Sequence, residues 1–167
     1  MLKIFNSKTP LKNAIKKGVK VGYGCEFYDD INWGSEPYLI EIGNNVRITK
    51  GVSFMTHDGG VWVIRNLQRK EKDKDIDVFG KIIVGNNVHI GWDAIIMPGV
   101  KIGNNCIIAA GAIVTKDVLD NSVVAGIPAK RIESIDEYYE KVIKKCDYTK
   151  NMSFEEKEKY IKNKYLK

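Results

Sequence analysis

A six-residue period between residues 40 and 114 is the feature that most limits how this chain can fold. Written in hexads, the sequence reads IEIGNN from Ile40, IIVGNN from Ile82, VHIGWD from Val88 and VKIGNN from Val100. The first and third residues of each hexad are apolar, and residues i and i+2 lie on one face of a strand. Each hexad therefore predicts a short strand with two inward side chains, followed by a three-residue turn.

The turn positions of this repeat carry the triplet GNN three times. Glycine and asparagine tolerate the positive φ angles that a tight corner requires. A short fixed period with such corners is typical of a parallel β-helix. A β-sandwich is the alternative, but its strands do not recur in an unbroken six-residue frame. The sequence therefore predicts an all-β solenoid.

The solenoid is expected to form one domain, residues 19–133, between helical segments at 1–18 and 134–167. The stretch TPLKNAIKKG has apolar residues at helical spacing between a proline and a glycine. The stretches SIDE and SFEE fit capping boxes that begin two amphipathic helices. The apolar runs are too short for a membrane span, and the N-terminus lacks the apolar core of a signal peptide. We therefore expect a cytoplasmic protein without membrane insertion.

Composition excludes some further classes of protein. The three cysteines lie far apart without a CxxC pair, which argues against a disulfide framework. The net charge of +6 arises from 27 basic residues mixed with 21 acidic ones. Because the charges are mixed, they indicate no nucleic-acid partner.

The repeat is interrupted by an excursion, residues 58–81, that leaves the hexad frame intact on both sides. It opens with a DGG turn, continues with an apolar patch at 61–64 and then becomes densely charged. A loop that leaves a rigid scaffold is a common place for function. A tolerated insertion is the alternative, since long surface loops cost little extra closure entropy.

His57 lies at the root of this excursion, in a corner position rather than in an inward column. Imidazole titrates near neutral pH, so it can take a proton from a hydroxyl that attacks a thioester. His57 is therefore the candidate general base, and a capping or surface role is the alternative.

Several segments of the chain match the motifs of one known family. They are SEPYLIEIGNNVRIT, FMTHDGGVWV, the run from IIVGNNVHIG to AGAIVTKD, and VVAGIPAKRI, which together cover about the middle two thirds of the chain. The chain resembles the hexapeptide-repeat acyltransferases, in the branch of sugar and polysaccharide O-acetyltransferases. The resemblance implies a left-handed parallel β-helix with three hexads per coil and homotrimeric assembly. It also implies acetyl-CoA as the donor, no metal, and a sugar or polysaccharide hydroxyl as the acceptor.

The resemblance also assigns roles to individual residues. Thr56-His57-Asp58 matches the context of the family's general base. Family members place the backbone amides at the positions of Trp92 and Ala110 along the pantetheine arm of the donor. Basic residues near the end of the repeat would hold the anionic end of coenzyme A. The matching basic residues here are Lys116, Lys130 and Arg131, and Thr115, next to Lys116, is a further candidate for donor binding. Ordinary solvated lysines are the alternative.

Three further residues are weaker candidates. Asp58 is expected to orient His57 or the acceptor, and Glu36 to contact the acceptor. His89 falls between two inward residues and should point outward, at a position where many relatives carry tryptophan. An interface or channel-lining role is favoured for it over that of a second base.

With three hexads per coil, residues 18 apart lie above one another along one edge. When the excursion is left out of the count, Thr56, Pro98 and Lys116 share one edge, and Trp92, Ala110 and Pro128 share another. His57 adjoins the first edge, whereas the donor amides lie on the second. A parallel trimer would bring the two edges of neighbouring subunits together.

Three rival functions stand beside O-acetylation, and the histidine count excludes one of them. Acetylation of an amino sugar or an amino acid would use a similar base and donor site. A zinc hydratase of the same fold needs three histidine ligands, and the chain has two histidines. A noncatalytic scaffold would not bind acetyl-CoA. The acceptor itself stays open, because the excursion and the segment GCEFYDDINWGSEPY are expected to select it.

Overall fold

The computed structural model describes residues 3–4 and 8–166. The predicted N-terminal helical segment, 1–18, lies partly outside these ranges. Within them, Lys3–Ile4 forms strand β1, and Lys8–Lys16 forms helix α1. Gly18 follows the helix with a φ of +104°, which glycine adopts without strain. The chain divides into two compact units, Met1–Asp136 and Glu137–Lys167.

The first unit is built from short strands that follow the hexad frame. After α1 they are β2 (Lys20–Val21), β3 (Glu26–Phe27), β4 (Ile40–Ile42), β5 (Arg47–Ile48), β6 (Ser53–Phe54), β7 (Ile82–Val84), β8 (Val88–Ile90), β9 (Ile95–Ile96), β10 (Lys101–Ile102), β11 (Cys106–Ile108), β12 (Ile113–Val114), β13 (Ser122–Ala125) and β14 (Lys130–Ser134).

These strands form three sheets along the length of the unit. Sheet A has the order β1-β3-β5-β8-β11-β13-β14, sheet B the order β10-β7-β4-β2, and sheet C the order β12-β9-β6. The chain passes from B to A to C and then returns to B. Strands of successive coils pair in parallel, and in the central coils the paired residues are 18 apart, as in Cys106 with Val88. Three hexads therefore make one coil, as the family resemblance implies.

Both predicted inward columns are buried and form the core of the coils. Burying an isoleucine or valine side chain contributes about 1.5–3 kcal/mol, so the stacked columns supply the main stabilisation of the rod. The first column contains Ile40, Val46, Val52, Ile82, Val88, Ala94, Val100, Cys106 and Ala112. The second contains Ile42, Ile48, Phe54, Val84, Ile90, Ile96, Ile102, Ile108 and Val114. The hexad frame predicts Val118 and Val124 for the first column, and both are buried, but they pair with Ile102 and Ile108 of the second column because the last coil is shorter.

The repeat begins one coil earlier than residue 40. Val19, Cys25, Phe27 and Trp33 are buried at the same hexad positions, although polar and aromatic residues hide the period in this stretch. The ring of Trp33 stacks on Phe54 of the next coil, with centroids 5.3 Å apart. Paired residues of these two coils are 21 apart, because a 3-10 helix at Pro37–Leu39 adds three residues to the corner.

The last coil is two residues shorter than the others, which corrects the predicted position of Pro128. Ile107 pairs with Val123, so the register places Gly126 rather than Pro128 beside Ala110. The coil shortens where the Asp117 carboxylate accepts the Lys101 N–H at 2.8 Å and closes the corner early. The chain then turns back, and β14 pairs antiparallel with β13.

Three corners join the sheets, and each is named here for one residue. The asparagine corner joins B to A and contains residues 43–45, 85–87 and 103–105. The tryptophan corner joins A to C and contains residues 49–51, 91–93 and 109–111. The histidine corner joins C to B and contains residues 34–36, 55–57, 97–99 and 115–117.

The asparagine corner shows why GNN recurs in the sequence. Asn45, Asn87 and Asn105 have φ angles of 55°, 54° and 53°, in the left-handed region. The Asn87 amide donates to Asn105 Oδ1 at 2.9 Å, and the Asn105 amide donates to Asn121 Oδ1 at 2.9 Å. The asparagines therefore adopt the corner conformation and also connect successive coils.

The excursion leaves and rejoins the rod at the histidine corner. It contains helix α2 (Val61–Leu67) and a 3-10 helix at Glu71–Asp75. Strand β4, before the excursion, pairs directly with β7, which follows it, so the excursion adds no coil to the rod. The Gly80 N–H donates to the Thr56 carbonyl at 2.9 Å and closes its neck.

Helix α3 (Ile135–Ile143) runs from the first unit into the second, which also contains α4 (Phe154–Tyr165). Ser153 and Glu156 form the predicted capping box at the start of α4: Ser153 Oγ accepts from the Glu156 N–H at 3.2 Å, and the Glu156 carboxylate accepts from the Ser153 N–H at 2.8 Å. Among the described residues, no helix combines the length and the apolar character needed to cross a membrane.

Candidate active site

His57 and Glu36 lie at the same corner of successive coils, 21 residues apart. His57 Nδ1 is 3.0 Å from Glu36 Oε2, within hydrogen-bond distance. The Glu36 side chain is 15% exposed and that of His57 is 42% exposed. The carboxylate therefore lies mostly behind the imidazole, which faces solvent.

The backbone before Glu36 brings it close to the next coil. Gly34 has a φ of +67°, and a Cβ atom there would lie 2.7 Å from Thr56 Oγ1 and 2.7 Å from the Phe54 carbonyl oxygen. Pro37 then begins the 3-10 helix at Pro37–Leu39. Glycine permits this close approach, and the inserted helix occupies the residues that follow Glu36.

Thr56 holds the Glu36 carboxylate from the other side. Thr56 is 1% exposed, and its hydroxyl donates to Glu36 Oε2 at 2.6 Å while accepting the Glu36 N–H at 3.3 Å. The Thr56 hydrogen bond is the largest cause that lowers the pKa of Glu36, and His57 lowers it further. Glu36 is therefore ionised at neutral pH and accepts two hydrogen bonds.

This arrangement defines what the His57 imidazole can do. An ionised carboxylate at Nδ1 requires the Nδ1–H form of the ring, which leaves the lone pair on Nε2. Within the described ranges, Nε2 has no hydrogen-bond partner. A carboxylate that orients the ring and stabilises the imidazolium is the arrangement used for general bases in acyl transfer.

Asp58 differs from the expectation that it orients His57. Its carboxylate accepts the Gly60 N–H at 2.8 Å and forms the turn that opens the excursion. The carboxylate beside His57 is that of Glu36, for which the sequence suggested acceptor contact instead. Continuing the hexads back to Val19 would have placed Glu36 at the same corner as His57.

Trp92 and Ala110 lie in successive coils of the tryptophan corner, and both are exposed. Within the described part of the chain, the backbone N–H groups of these two residues donate to no acceptor. The N–H groups on either side of each residue are all paired, as in Gly111 to the Trp92 carbonyl at 2.7 Å. A Cβ atom on Gly91 would lie 2.5 Å from Ala110 N, so glycine keeps this amide uncovered.

The predicted phosphate-binding residues lie towards the end of the rod. Thr115 and Lys116 are exposed at the histidine corner, and Lys130 and Arg131 are exposed at the start of β14. Lys116 and Arg131 line one cavity of about 170 Å³ together with Asp117. The structure thus brings Lys116 and Arg131 together, and Lys130 precedes Arg131 in β14.

His89 points outward from sheet A, as the alternation of the hexad predicts. It lies in register between Arg47 and Ile107, at a groove of about 370 Å³ that asparagine side chains line on one side. Burial lowers the pKa of His89, and the positive charge of Arg47 lowers it further. Both effects favour the neutral imidazole. This groove lies on a face of the rod opposite the histidine corner.

The candidate base and the candidate donor amides therefore occupy different corners of one rod. His57 lies between sheets C and B, whereas Trp92 and Ala110 lie between sheets A and C. Among the described residues, no group of three or more histidine, cysteine, aspartate or glutamate side chains could hold a metal ion.

Comparison with known proteins gives matches along most of the chain. The family model described as "Hexapeptide repeat of succinyl-transferase" matches residues 81–116. Protein CapG from Staphylococcus aureus is 52% identical over 152 residues, which are 90% of this chain and 86% of that protein. Galactoside O-acetyltransferase from Escherichia coli (strain K12) is 36% identical over 122 residues, or 72% of this chain. The match spans 57% of that enzyme's length.

A solved structure shares the fold. The hexapeptide-repeat containing acetyltransferase VCA0836 from Vibrio cholerae aligns with a TM-score of 0.60 at 24% identity. The alignment covers 71% of this chain and 63% of that one.

Proposed function

This chain belongs to the hexapeptide-repeat acyltransferase family, in its branch of sugar O-acetyltransferases, and on that premise we propose that it transfers an acetyl group from acetyl-CoA to a hydroxyl group of a sugar or polysaccharide. The observation that carries this proposal is the His57–Glu36 pair at 3.0 Å, with the imidazole facing solvent. A structural ion pair would not require an exposed imidazole whose Nε2 has no hydrogen-bond partner among the described residues.

The reaction follows from the atoms at this corner. His57 Nε2 takes the proton of the acceptor hydroxyl as its oxygen attacks the thioester carbonyl. The Glu36 carboxylate, which already accepts the Nδ1–H, stabilises the imidazolium that forms. The tetrahedral intermediate then expels the CoA sulfur, which receives the proton back from His57. No covalent acyl-enzyme is needed.

The free amides of the tryptophan corner supply the second half of the site. Trp92 N–H and Ala110 N–H are one coil apart and can donate to the pantetheine arm or to the oxyanion. Lys116, Lys130 and Arg131 provide positive charge for the phosphates at the far end of the donor.

We propose a homotrimer as the active form. Because His57 and the free amides lie on different corners, one rod presents them in different directions. A parallel trimer with the histidine corner of one subunit facing the tryptophan corner of the next would complete each site between two chains. Sedimentation equilibrium tests the assembly: a trimer is expected, and a monomer at assay concentration would contradict it.

The acceptor class is tested by the release of free CoA from acetyl-CoA with matched pairs of sugars. Each pair consists of a sugar and its amino analogue, which differ at one position only. Transfer to the hydroxyl sugar, with an acetyl ester in the product by mass spectrometry, is the expected result. Faster transfer to the amino analogue would make the protein an N-acetyltransferase, and no CoA release with any acceptor would contradict acetyl transfer.

A further inference from the structure

Phe79 lies directly opposite His57 at the neck of the excursion. The two residues form an antiparallel bridge. The Asp58 N–H donates to the Val78 carbonyl at 2.9 Å, and the Gly80 N–H donates to the Thr56 carbonyl at 2.9 Å. These bonds flank the pair, so His57 and Phe79 form a non-hydrogen-bonded pair, the kind whose side chains lie closest.

The two rings are accordingly neighbours. Their centroids are 6.3 Å apart and their planes make an angle of 72°. The backbone bonds on both sides fix the Phe79 position relative to the imidazole. Phe79 therefore has a defined location beside the imidazole that is proposed to take the proton.

Phe79 is nevertheless 54% exposed. Single exposed apolar residues are common on protein surfaces and need no explanation by themselves. This ring differs because it is anchored next to an exposed imidazole, where a bound acceptor would have to lie. Small-molecule sites combine apolar or aromatic walls with a few oriented polar groups, and Phe79 with His57 supplies one of each.

We propose that Phe79 is an acceptor subsite that binds the apolar face of a pyranose ring. The C–H groups of a pyranose form a flat apolar face of about the size of a phenyl ring, while its hydroxyls project from the rim. Stacking on Phe79 would bury that face and direct a rim hydroxyl towards His57 Nε2. The inference rests on the proposed function and narrows its acceptor to a cyclic sugar.

A small acyclic hydroxyl compound cannot use this contact, because it has no flat face to stack. The subsite therefore raises the affinity for pyranosides and leaves acyclic acceptors unaffected. It also assigns a role to the end of the excursion. That segment rejoins the rod beside His57 and places the Phe79 ring next to the imidazole.

The test compares Phe79→Ala, Phe79→Leu and Phe79→Trp with the unmodified protein. Initial rates are measured at varied concentrations of a methyl pyranoside and, separately, of acetyl-CoA. The rate with glycerol, an acyclic acceptor, is measured as well. Phe154→Ala is the matched control, because Phe154 is an exposed phenylalanine in α4, outside the rod. Circular dichroism and sedimentation of each variant confirm its fold and assembly.

Phe79→Ala is expected to raise the KM for the pyranoside about ten-fold, the size of a lost aromatic contact. Phe79→Trp should retain the low KM for the pyranoside, and the KM of Phe79→Leu should lie between those of Phe79→Ala and the unmodified protein. The KM for acetyl-CoA and the rate with glycerol should not change in these variants, and Phe154→Ala should match the unmodified protein.

The inference fails if the unmodified protein acetylates the pyranoside and Phe79→Ala has the same pyranoside KM. It also fails if Phe79→Ala slows the pyranoside and glycerol reactions equally, or changes the oligomeric state, since the ring would then support the base or a subunit contact. Those results leave the proposed function intact. No transfer by the unmodified protein to any acceptor would overturn both.

Discussion

Glu36 Oε2 lies 3.0 Å from His57 Nδ1 and 2.6 Å from Thr56 Oγ1, so one carboxylate oxygen connects the candidate base to a buried hydroxyl of the rod. Thr56 is buried at the edge of the core, so its hydrogen bond holds the Glu36 carboxylate in place. The carboxylate in turn orients the His57 imidazole. The base is thereby oriented by the repeat itself, although His57 stands at the root of a long excursion.

Replacement of Glu36 by glutamine should reduce kcat. Glu36→Gln removes the negative charge that stabilises the imidazolium, so kcat should fall about ten- to a thousand-fold while the KM for acetyl-CoA is retained. Steady-state kinetics check this. Glu41→Gln is the control, because Glu41 is an outward carboxylate paired with Lys20 and Lys81. The kcat of this control variant should be unchanged. A Glu36→Gln protein with normal kcat would contradict the role of Glu36.

The Thr56 hydroxyl should make the stability of the protein depend on pH. Thr56→Val removes the largest cause that lowers the pKa of Glu36, so this pKa should rise towards its ordinary value. The folded-state pKa of Glu36 lies below the unfolded one. The stabilisation is therefore complete above the ordinary pKa of glutamate and is lost as the pH falls through the lowered value.

Urea unfolding at one protein concentration measures this effect. Thr56→Val should lower the free energy of unfolding by about 1–3 kcal/mol at neutral pH and by less in acid. Thr49→Val is the control, since its buried hydroxyl donates at 2.7 Å to the Ile90 carbonyl, which does not titrate. If Thr56→Val lowers the free energy of unfolding equally at both pH values, the hydroxyl does not act through Glu36.

A methyl group on Gly91 should weaken donor binding. A Cβ atom there would lie 2.5 Å from Ala110 N and cover an amide that is free to donate. Gly91→Ala should raise the KM for acetyl-CoA about ten-fold, the value of one hydrogen bond. Gly85→Ala introduces similar crowding, 2.7 Å from the Gly103 carbonyl oxygen, at the asparagine corner. If both variants raise the KM equally, distortion of the rod and not the donor amide is responsible.

Mixed oligomers should show whether the site is shared between subunits. His57→Ala and Gly91→Ala chains are each expected to be impaired, but random co-assembly would pair an intact base with an intact donor corner. About one quarter of the sites should then recover in an equal mixture, if each site joins two chains. Two affinity tags on the two chains identify the mixed species, and mixed species without recovered activity would argue against a shared site.

The period of the sequence predicts most of the rod because the first and third residues of nearly every hexad are apolar and buried. Ile82, Val88 and Ile96 all lie where the hexads place them. The ends of the rod follow other constraints. The coil from Val19 contains Cys25 and Trp33 at inward positions, which look irregular in the sequence although they pack in the same columns.

The candidate site was harder to predict because its key contact joins residues 21 apart rather than 18. The three additional residues at Pro37–Leu39 lie between Glu36 and the next coil, so two residues at the same corner position are 21 apart in sequence and a fixed count of 18 misses the pair. Residue type alone favoured Asp58, which is adjacent in sequence. The short last coil has a similar local cause, the Asp117 bond to the Lys101 amide, which no periodicity reveals.

The most direct test of the account measures acetyl transfer by His57→Ala. The rate of CoA release is determined with a sugar acceptor for the unmodified protein and the variant, and acetyl-CoA binding is determined by calorimetry. Loss of the general base should lower kcat about a hundred- to ten-thousand-fold and leave acetyl-CoA affinity within about two-fold. Equal rates of transfer in the two proteins would contradict the assignment of His57 as the base.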